Sequence, residues 1–496
     1  MLPNLISSAA IDLDLSDVQV IFVPEEVWHL FRQRLEEWAH RPFSSHLIIL
    51  CEGINWTPAQ DNLKIRIVYM GNSPDEVFTQ LAWEFVFLSA NLYLPETITW
   101  KYKNSLDRIL LGVHLVASEM KDFRIASVKN LIQNLKSDPC SLDFEKLKGC
   151  FKGIPAIICG AGPSLTDHIP ALKEASQRAI IFAGGSALAA LSRSEVPFHV
   201  AAGTDPDPDY IRFKDGILFE KPFFYQDRFS SSFLSKIHGS KIRVPANRGY
   251  VLEEWLQRNK TDQDFDGGWT VTNFMASLAT YMECCPIILV GTDFSFDHAV
   301  YTEILPPLEE NRESISLGDK KTKADWMMAA LWMEELVAKN QEIKWVNTSY
   351  RQPNVSIECA PFLEMIHSLP QRDIRNIVHS ALAKESNKDQ REMVSEDVSI
   401  LEQSFFKTCS LLDNIISSYE AHFPQDPSSL AEFALWEIEL IEEIWFQKIL
   451  EPVWFVWSKV WDRMNTGHKK NINFHRWMFL KEIMRAYQEQ GIWNDE

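Results

Sequence analysis

Short unbroken apolar runs, each closed by glycine, serine, threonine or aspartate, alternate with helical stretches through the middle of the chain. Ala156–Cys159 (AIIC), Ala179–Phe182 (AIIF), Phe198–Ala202 (FHVAA) and Pro286–Val290 (PIILV) are the clearest runs. Pro222–Tyr225, Lys241–Val244 and Ile343–Asn347 have the same character. Runs of this length bounded by turn residues read as strands buried on both faces, the pattern of a parallel sheet. The Ala- and Leu-rich stretch Ala187–Ser192, the segment after Asn273 and the amphipathic Asp325–Lys339 read as helices between them. Strand followed by helix, repeated, predicts an α/β architecture over residues 146–370.

The flanks differ. Over residues 1–145, Val18–Val23, His46–Cys51 and Lys64–Tyr69 read as strands, and Pro24-Glu25-Glu26 opens a helical pattern that runs to Ala39. Further helical stretches fall near Asp75–Leu94, at Tyr102–Glu119 and at Phe123–Leu135. Gly53 and Gly71 are lone glycines after strands, so this N-terminal α/β domain offers no phosphate-binding turn. From residue 371 to 496 the pattern is all helical, interrupted by the charged stretch Ala383–Glu396 and punctuated by Pro424, Pro427 and Pro452. Trp436, Trp445, Trp454, Trp457, Trp461 and Trp477 enrich it in aromatics, and Trp454, Trp457 and Trp461 share one helix face. A packed helical core is the expected use of that face, a protein-binding surface the alternative.

Composition narrows the class. A chain of 496 residues can bury large cores and is expected to hold about two to four domains. Its 46% hydrophobic and 24% charged residues are those of a globular protein, and a formal net charge of −19 argues against a broad electrostatic hold on nucleic acid. Eight scattered cysteines make no CxxC pair, which predicts reduced thiols rather than a zinc site or a disulfide framework. No signal-like N-terminus and no run of about 20 apolar residues is present, so a cytoplasmic protein without a membrane span is expected.

Candidate chemistry gathers at the ends of the strands. Ala156–Cys159 stops at Gly160-Ala161-Gly162-Pro163-Ser164, and a helix is predicted to begin at Ser164. A strand, a small-residue turn and a helix N-terminus are expected to offer free N–H groups to an anion. The turn is not GxGxxG, since Leu165 holds the third position, and no Gly-Lys-Ser/Thr follows to make a P-loop. The next strand ends in Gly184-Gly185-Ser186 and the third in Gly203-Thr204-Asp205-Pro206-Asp207-Pro208, where open α/β sheets bind ligands. Gly267-Gly268-Trp269-Thr270-Val271-Thr272-Asn273 leads into a helix with hydroxyl and amide groups at its entrance. After Pro286–Val290 come Asp293, His298 and Tyr301: a carboxylate, an imidazole and a phenol suited to acid/base work and phosphate orientation. Residues 301–325, with Pro306, Pro307 and a charged run to Lys323, read as a mobile loop beside the site.

Taken in order and spacing, IPAIICGAGPSL, FAGGSALAAL, GTDPDP, GGWTVTNFMASLA and PIILVGTDFSF resemble the motility-associated-factor (Maf) glycosyltransferases. Their central domain is also called 6-hydroxymethylpterin diphosphokinase MptE-like. The resemblance spans roughly residues 125–370, and Lys129–Leu135 (KNLIQNL) is similar to the segment that precedes this domain in the family. It implies a Rossmann-like sheet similar to that of bacterial sialyltransferases. It further implies that Gly160, Gly162, Pro163 and Ser164 hold the nucleotide of an activated sugar, a CMP-linked nonulosonic acid. Gly184, Gly185 and Ser186 would line the same cleft. Thr204 belongs to the same set, Asp205 would face ribose or base, and Gly268, Thr270 and Asn273 would approach the phosphate from the opposite helix. Asp293 matches the family's Gly-x-Asp turn, whereas FSFDHAVYTE replaces the family's glycine-rich turn and Thr-His pair.

The reaction expected from this resemblance is transfer of the sugar to a serine or threonine of a protein, such as flagellin or another surface protein. His298 is then the candidate base or acid, with Tyr301 and Asp293 beside it, and no metal or other cofactor is required. Two alternatives stand. One is diphosphate transfer from ATP to a hydroxymethylpterin, with Mg²⁺ held by Asp205, Asp207 and Asp293; the lack of Lys or Arg beside GAGPS weighs against it. The other is an inactive binding protein that keeps the nucleotide fold as a scaffold.

Overall fold

The structure, a computed structural model, describes residues 4–7, 18–23, 47–51, 65–69, 73–84, 86, 90–94, 96–137, 144–208, 219–244, 250–258, 265–296, 300–305, 315–317, 320–349, 357–382, 388–422, 431–464 and 472–494. The chain divides into two compact units, Met1–Asp122 with Val453–Ile472, and Phe123–Pro452 with Asn473–Glu496.

The first unit is built on a five-stranded parallel sheet in the order β1 (Asn4–Ser7), β5 (Ala90–Leu94), β2 (Val18–Val23), β3 (Leu47–Cys51), β4 (Ile65–Tyr69). The three strands read from sequence are present within a residue of their expected bounds. The helical stretch expected over Asp75–Leu94 is instead helix α1 (Pro74–Glu84) followed by β5, which pairs with both β1 and β2. Leu94 precedes Pro95, whose ring disfavours helical backbone in the residue before it. Helix α2 (Glu96–Glu119) follows, and the helical pattern read over Pro24–Ala39 lies outside the described residues. Within this unit Trp457 donates from Nε1 to the Met120 carbonyl (3.1 Å).

The second unit carries an eight-stranded, wholly parallel sheet: β10 (Lys241–Arg243), β9 (Phe223–Tyr225), β8 (Val200–Gly203), β7 (Ile180–Gly184), β6 (Ala156–Cys159), β11 (Ile287–Val290), β14 (Trp345–Asn347), β15 (Glu358–Cys359). From β6 the chain steps outward through β7 to β10, then returns to β11 on the other side of β6. The strand order therefore reverses between β6 and β11, the place where ligands enter open α/β sheets.

Alternate residues of each strand feed two cores. Ala156, Ile158, Phe182, Ala202 and Leu289 meet helices α6 (Val271–Tyr281) and α7 (Ala324–Lys339). Ile157, Cys159, Ile181, Ala201 and Val290 meet α4 (Leu165–Ala175) and α5 (Ser186–Arg193). Burial on both faces is why the strands read as unbroken apolar runs. Helix α3 (Ile125–Ser137) belongs to this unit, as do α8 (Lys388–His422) and α9 (Ala431–Glu442).

Trp445 and Trp477 are fully buried, Trp445 against Phe405 at 4.8 Å and Tyr487 at 5.7 Å between ring centroids. Cys150, Cys159, Cys284, Cys285, Cys359 and Cys409 are free thiols. Burial pushes the thiols of Cys159 and Cys284 well above their usual range, as fits residues that pack rather than react. Among the described residues no helix is long and apolar enough to cross a membrane.

Candidate functional site at the carboxyl ends of the strands

The turn after β6 is zipped onto the turn after β11. Gly160 N–H donates to the Val290 carbonyl and Gly162 N–H to the Gly291 carbonyl, both at 2.8 Å. A Cβ on Gly160 would fall 2.3 Å from the Gly291 oxygen, and one on Gly162 2.4 Å from Asp293 Oδ2. Close approach of backbone to backbone therefore demands both glycines.

Ser164 does not cap α4. Its hydroxyl donates to Asp293 Oδ1 (2.6 Å) and its N–H to Asp293 Oδ2 (2.8 Å), while Ser349, just past β14, donates its hydroxyl to Oδ1 as well. Asp293 is 1% exposed. Its carboxylate thus ties together the ends of β6, β11 and β14, with both oxygens engaged by protein donors. The amides of Gly160, Gly162 and Ser164, expected to face an anion, already have acceptors.

The β7 side is built differently. Gly185, at φ 53°, precedes Ser186, the first residue of α5. Val271, the first residue of α6, packs on this turn, and a Cβ on Gly184 would fall 2.5 Å from its Cγ2. Thr270 caps α6, accepting from Asn273 N–H at 3.3 Å. Asn273 Oδ1 accepts in return from the N–H groups of Trp269 and Thr270, both 3.2 Å, and its Nδ2 donates to the Ala329 carbonyl at 3.0 Å. Asp266 holds the approach to this cap, accepting from Gly268 N–H (2.9 Å) and Trp332 Nε1 (3.0 Å). Asn273 is a cap residue with no exposed surface. The amides of Val271 and Thr272, at the positive end of the helix, have no hydrogen-bond partner among the described residues.

After β8, Asp205 is exposed and turns the chain by accepting from Asp207 N–H (3.0 Å). The Thr204 carbonyl accepts from Arg228 Nε at 3.3 Å. Helix α3 braces this edge: Asn130 Nδ2 donates to the Pro206 carbonyl (2.8 Å), and Asn134 Nδ2 to the carbonyls of Asp227 (2.8 Å) and Phe229 (2.7 Å). KNLIQNL thus places two amides one helical turn apart against the loops after β8 and β9. Among the described residues no three His, Cys, Asp or Glu side chains are grouped to hold a metal.

His298 lies outside the described residues. Tyr301 is half-buried, edge-on to Trp326 at 5.8 Å, and the next residue, Thr302, donates its N–H to the Ala161 carbonyl inside the β6 turn (2.9 Å). The hydroxyls of Thr302 and Thr166 meet at 2.6 Å.

Sequence reasoning passed over two basic side chains, one on the helix after the β6 turn and one on the segment bonded to the loop after β11. His168, one helical turn beyond Ser164, packs edge-on to Phe362 at 5.3 Å. Burial lowers its pKa, against weaker opposing effects of Asp167, the Thr348 backbone and Asp293, so it favours the neutral imidazole. Lys323, 4% exposed, directs its ammonium over the rings of Trp326 (4.8 Å) and Tyr301 (5.3 Å). The spacing of His168 from Ser164 was a readable signal; the position of Lys323 depends on how 320–323 folds. Lys320–Thr322 is strand β13, paired with β12 (Ile315–Leu317), where an irregular loop was expected.

An open parallel sheet whose strand ends carry glycine turns and a capped helix N-terminus defines a Rossmann-like architecture. Residues 129–299 match the family model described as 6-hydroxymethylpterin diphosphokinase MptE-like. A 219-residue stretch is 25% identical to the 6-hydroxymethyl-7,8-dihydropterin pyrophosphokinase of Methanocaldococcus jannaschii, covering 40% of this chain and 84% of that protein. The MAf glycosyltransferase from Magnetospirillum magneticum has a similar fold, with a TM-score of 0.54 and 12% identity over 96% of this chain and 80% of that one. The resemblance carried by the strand-end motifs therefore holds in both directions, to MptE-like proteins in sequence and to a Maf glycosyltransferase in fold.

Proposed function

We propose that the chain is a glycosyltransferase that moves a sugar, a CMP-activated nonulosonic acid, from a nucleotide donor to a serine or threonine of a protein. The observation that carries this reading is the fold likeness to a Maf glycosyltransferase over 96% of the chain, flanking regions included. The amides of Val271 and Thr272 beside the β7 turn support a phosphate position, and the Thr204–Asp205 edge, braced by α3 and with Asp205 exposed, supports a ribose or base position.

In the reaction, the acceptor hydroxyl oxygen bonds to the anomeric carbon as the bond from that carbon to the CMP phosphate oxygen breaks. The phosphate leaves with the electron pair, and the hydroxyl proton passes to a base. His298 is the residue we assign as that base, with Tyr301 oriented to the leaving phosphate. Asp293 we assign to holding the site together. No metal is needed for these steps. We take the enzyme to be cytoplasmic, with flagellin or another surface protein as acceptor.

The 25% identity to a pterin pyrophosphokinase favours a second reading, diphosphate transfer from ATP. Mg²⁺ would then sit between the phosphates and the exposed carboxylates of Asp205 and Asp207, since Asp293 is already engaged. A thermal-shift panel of CMP, CDP, UDP, GDP, AMP and ATP, with and without Mg²⁺, separates the readings. At about 100 times its dissociation constant a ligand stabilises the fold by about 2.7 kcal/mol. The transferase predicts a metal-independent response selective for CMP; a Mg²⁺-dependent response to ATP points to the kinase. Silence from every nucleotide leaves the scaffold reading.

A further inference from the structure

The chain enters α6 through Asp266-Gly267-Gly268-Trp269-Thr270, and this entry is held at both ends. At one end Gly267 lies against the carboxamide of Gln226, the residue after β9: a Cβ on Gly267 would fall 2.6 Å from Gln226 Nε2. At the other end Val271 packs on the Gly184-Gly185 turn after β7. β8 lies between β9 and β7, so residues 267–271 cross the end of β8, whose Thr204–Asp205 edge carries the ribose or base position. Trp269 stands midway, separated from Gly267 and from Val271 by at most about 7 Å of chain.

A residue that precedes an N-cap often packs on the side chain at the helix's N4 position. Here that residue, Phe274, is fully buried against Gly267 and Phe265, the two rings 6.0 Å apart, and Trp269 is left 39% exposed. The backbone of Trp269 is nonetheless fixed. Its N–H donates to Asn273 Oδ1, and Gly268, at φ 66°, fits tightly against Asn273 and Trp332. Among the described residues its indole N–H has no acceptor and its ring no aromatic or cationic neighbour. Gln226 is 4% exposed, and its Oε1, a buried acceptor that is costly to leave without a donor, has no hydrogen-bond partner. An indole held in place and a buried amide, both without partners, thus flank one strand end beside the open amides of α6.

We propose that Trp269 and Gln226 form the base subsite of the nucleotide, the indole face stacking on the base and the Gln226 amide bonding to its polar edge. The inference rests on the nucleotide reading above and assigns the side chains that hold the base while the α6 amides hold the phosphate. Every base has a π-face and an edge of donors and acceptors, and an indole and a carboxamide complement the two.

The test is calorimetric titration of the full chain with CMP and with ribose 5-phosphate, which keeps the phosphate and lacks the base. The proteins are wild type, Trp269→Leu, Trp269→Phe and Gln226→Met, each checked for folding by urea denaturation. Trp269→Leu, apolar but without a π-face, is expected to weaken CMP about ten-fold, and Trp269→Phe to stay within about three-fold of wild type. Gln226→Met, which keeps the volume and loses the hydrogen bonds, is expected to weaken CMP about five-fold. Ribose 5-phosphate is expected to bind all four proteins alike. Wild-type affinity for CMP in Trp269→Leu or Gln226→Met, or a loss shared equally by ribose 5-phosphate, would overturn the inference alone. Failure of wild type to bind CMP would overturn the nucleotide reading beneath it.

Discussion

The turns after β6 and β7 have nearly the same composition, GAGPS and AGGS, and are put to different uses. At β6, glycine amides, a serine and a buried carboxylate satisfy one another, and the turn becomes a rivet between three strand ends. At β7, glycine makes room for the first residue of α6, and the amides at that helix start keep donors in hand. Residue type at a strand end does not tell a rivet from a cradle; following each donor to its acceptor does.

The comparison breaks most visibly at Asp293. Asp293→Ala leaves three buried donors without their acceptor and should destabilise the protein by about 3–5 kcal/mol, read from urea unfolding. A loss within the noise of a surface substitution would mean the β6 side is not a rivet.

The foot of the β7–β8 side rests on His199, which accepts the Ile181 N–H at Nδ1 (3.1 Å). Burial, reinforced by Lys221, lowers its pKa to about 4. A histidine kept neutral in the fold contributes stability that is complete above its unfolded pKa near 6.5 and is lost as pH falls toward 4. The slope through that window is at most about 1.4 kcal/mol per pH unit, and His199→Gln should flatten it. The smallest effect belongs to the cap: Thr270→Ala should cost about 1 kcal/mol in unfolding free energy. It should weaken nucleotide binding beyond that loss, because it loosens the helix start that faces the cradle.

Much of this was legible beforehand. The strands of the eight-stranded sheet from Ala156 to Asn347 show as apolar runs because both faces of that sheet are covered, and their bounds agree within two residues. β1 is too short to announce itself, and β5 hides behind a helical pattern that stops at Glu84. In the site, the glycine turns and the Thr270–Asn273 cap follow from local sequence rules. The bonds of Ser164 and Ser349 to Asp293 do not, since they join residues 129 and 56 positions apart. Lys323 ends a charged run that reads as a mobile loop; β12 and β13 instead pair just before it, and its ammonium lies over the rings of Tyr301 and Trp326.

The most direct test is a crystal structure of the protein grown with CMP. The phosphate is predicted between the Ser186 turn and the amides of Val271 and Thr272, with Asp293 still bonded to Ser164 and Ser349. A phosphate bound instead on the amides of Gly162 and Ser164, with Asp293 released, would contradict the division between rivet and cradle.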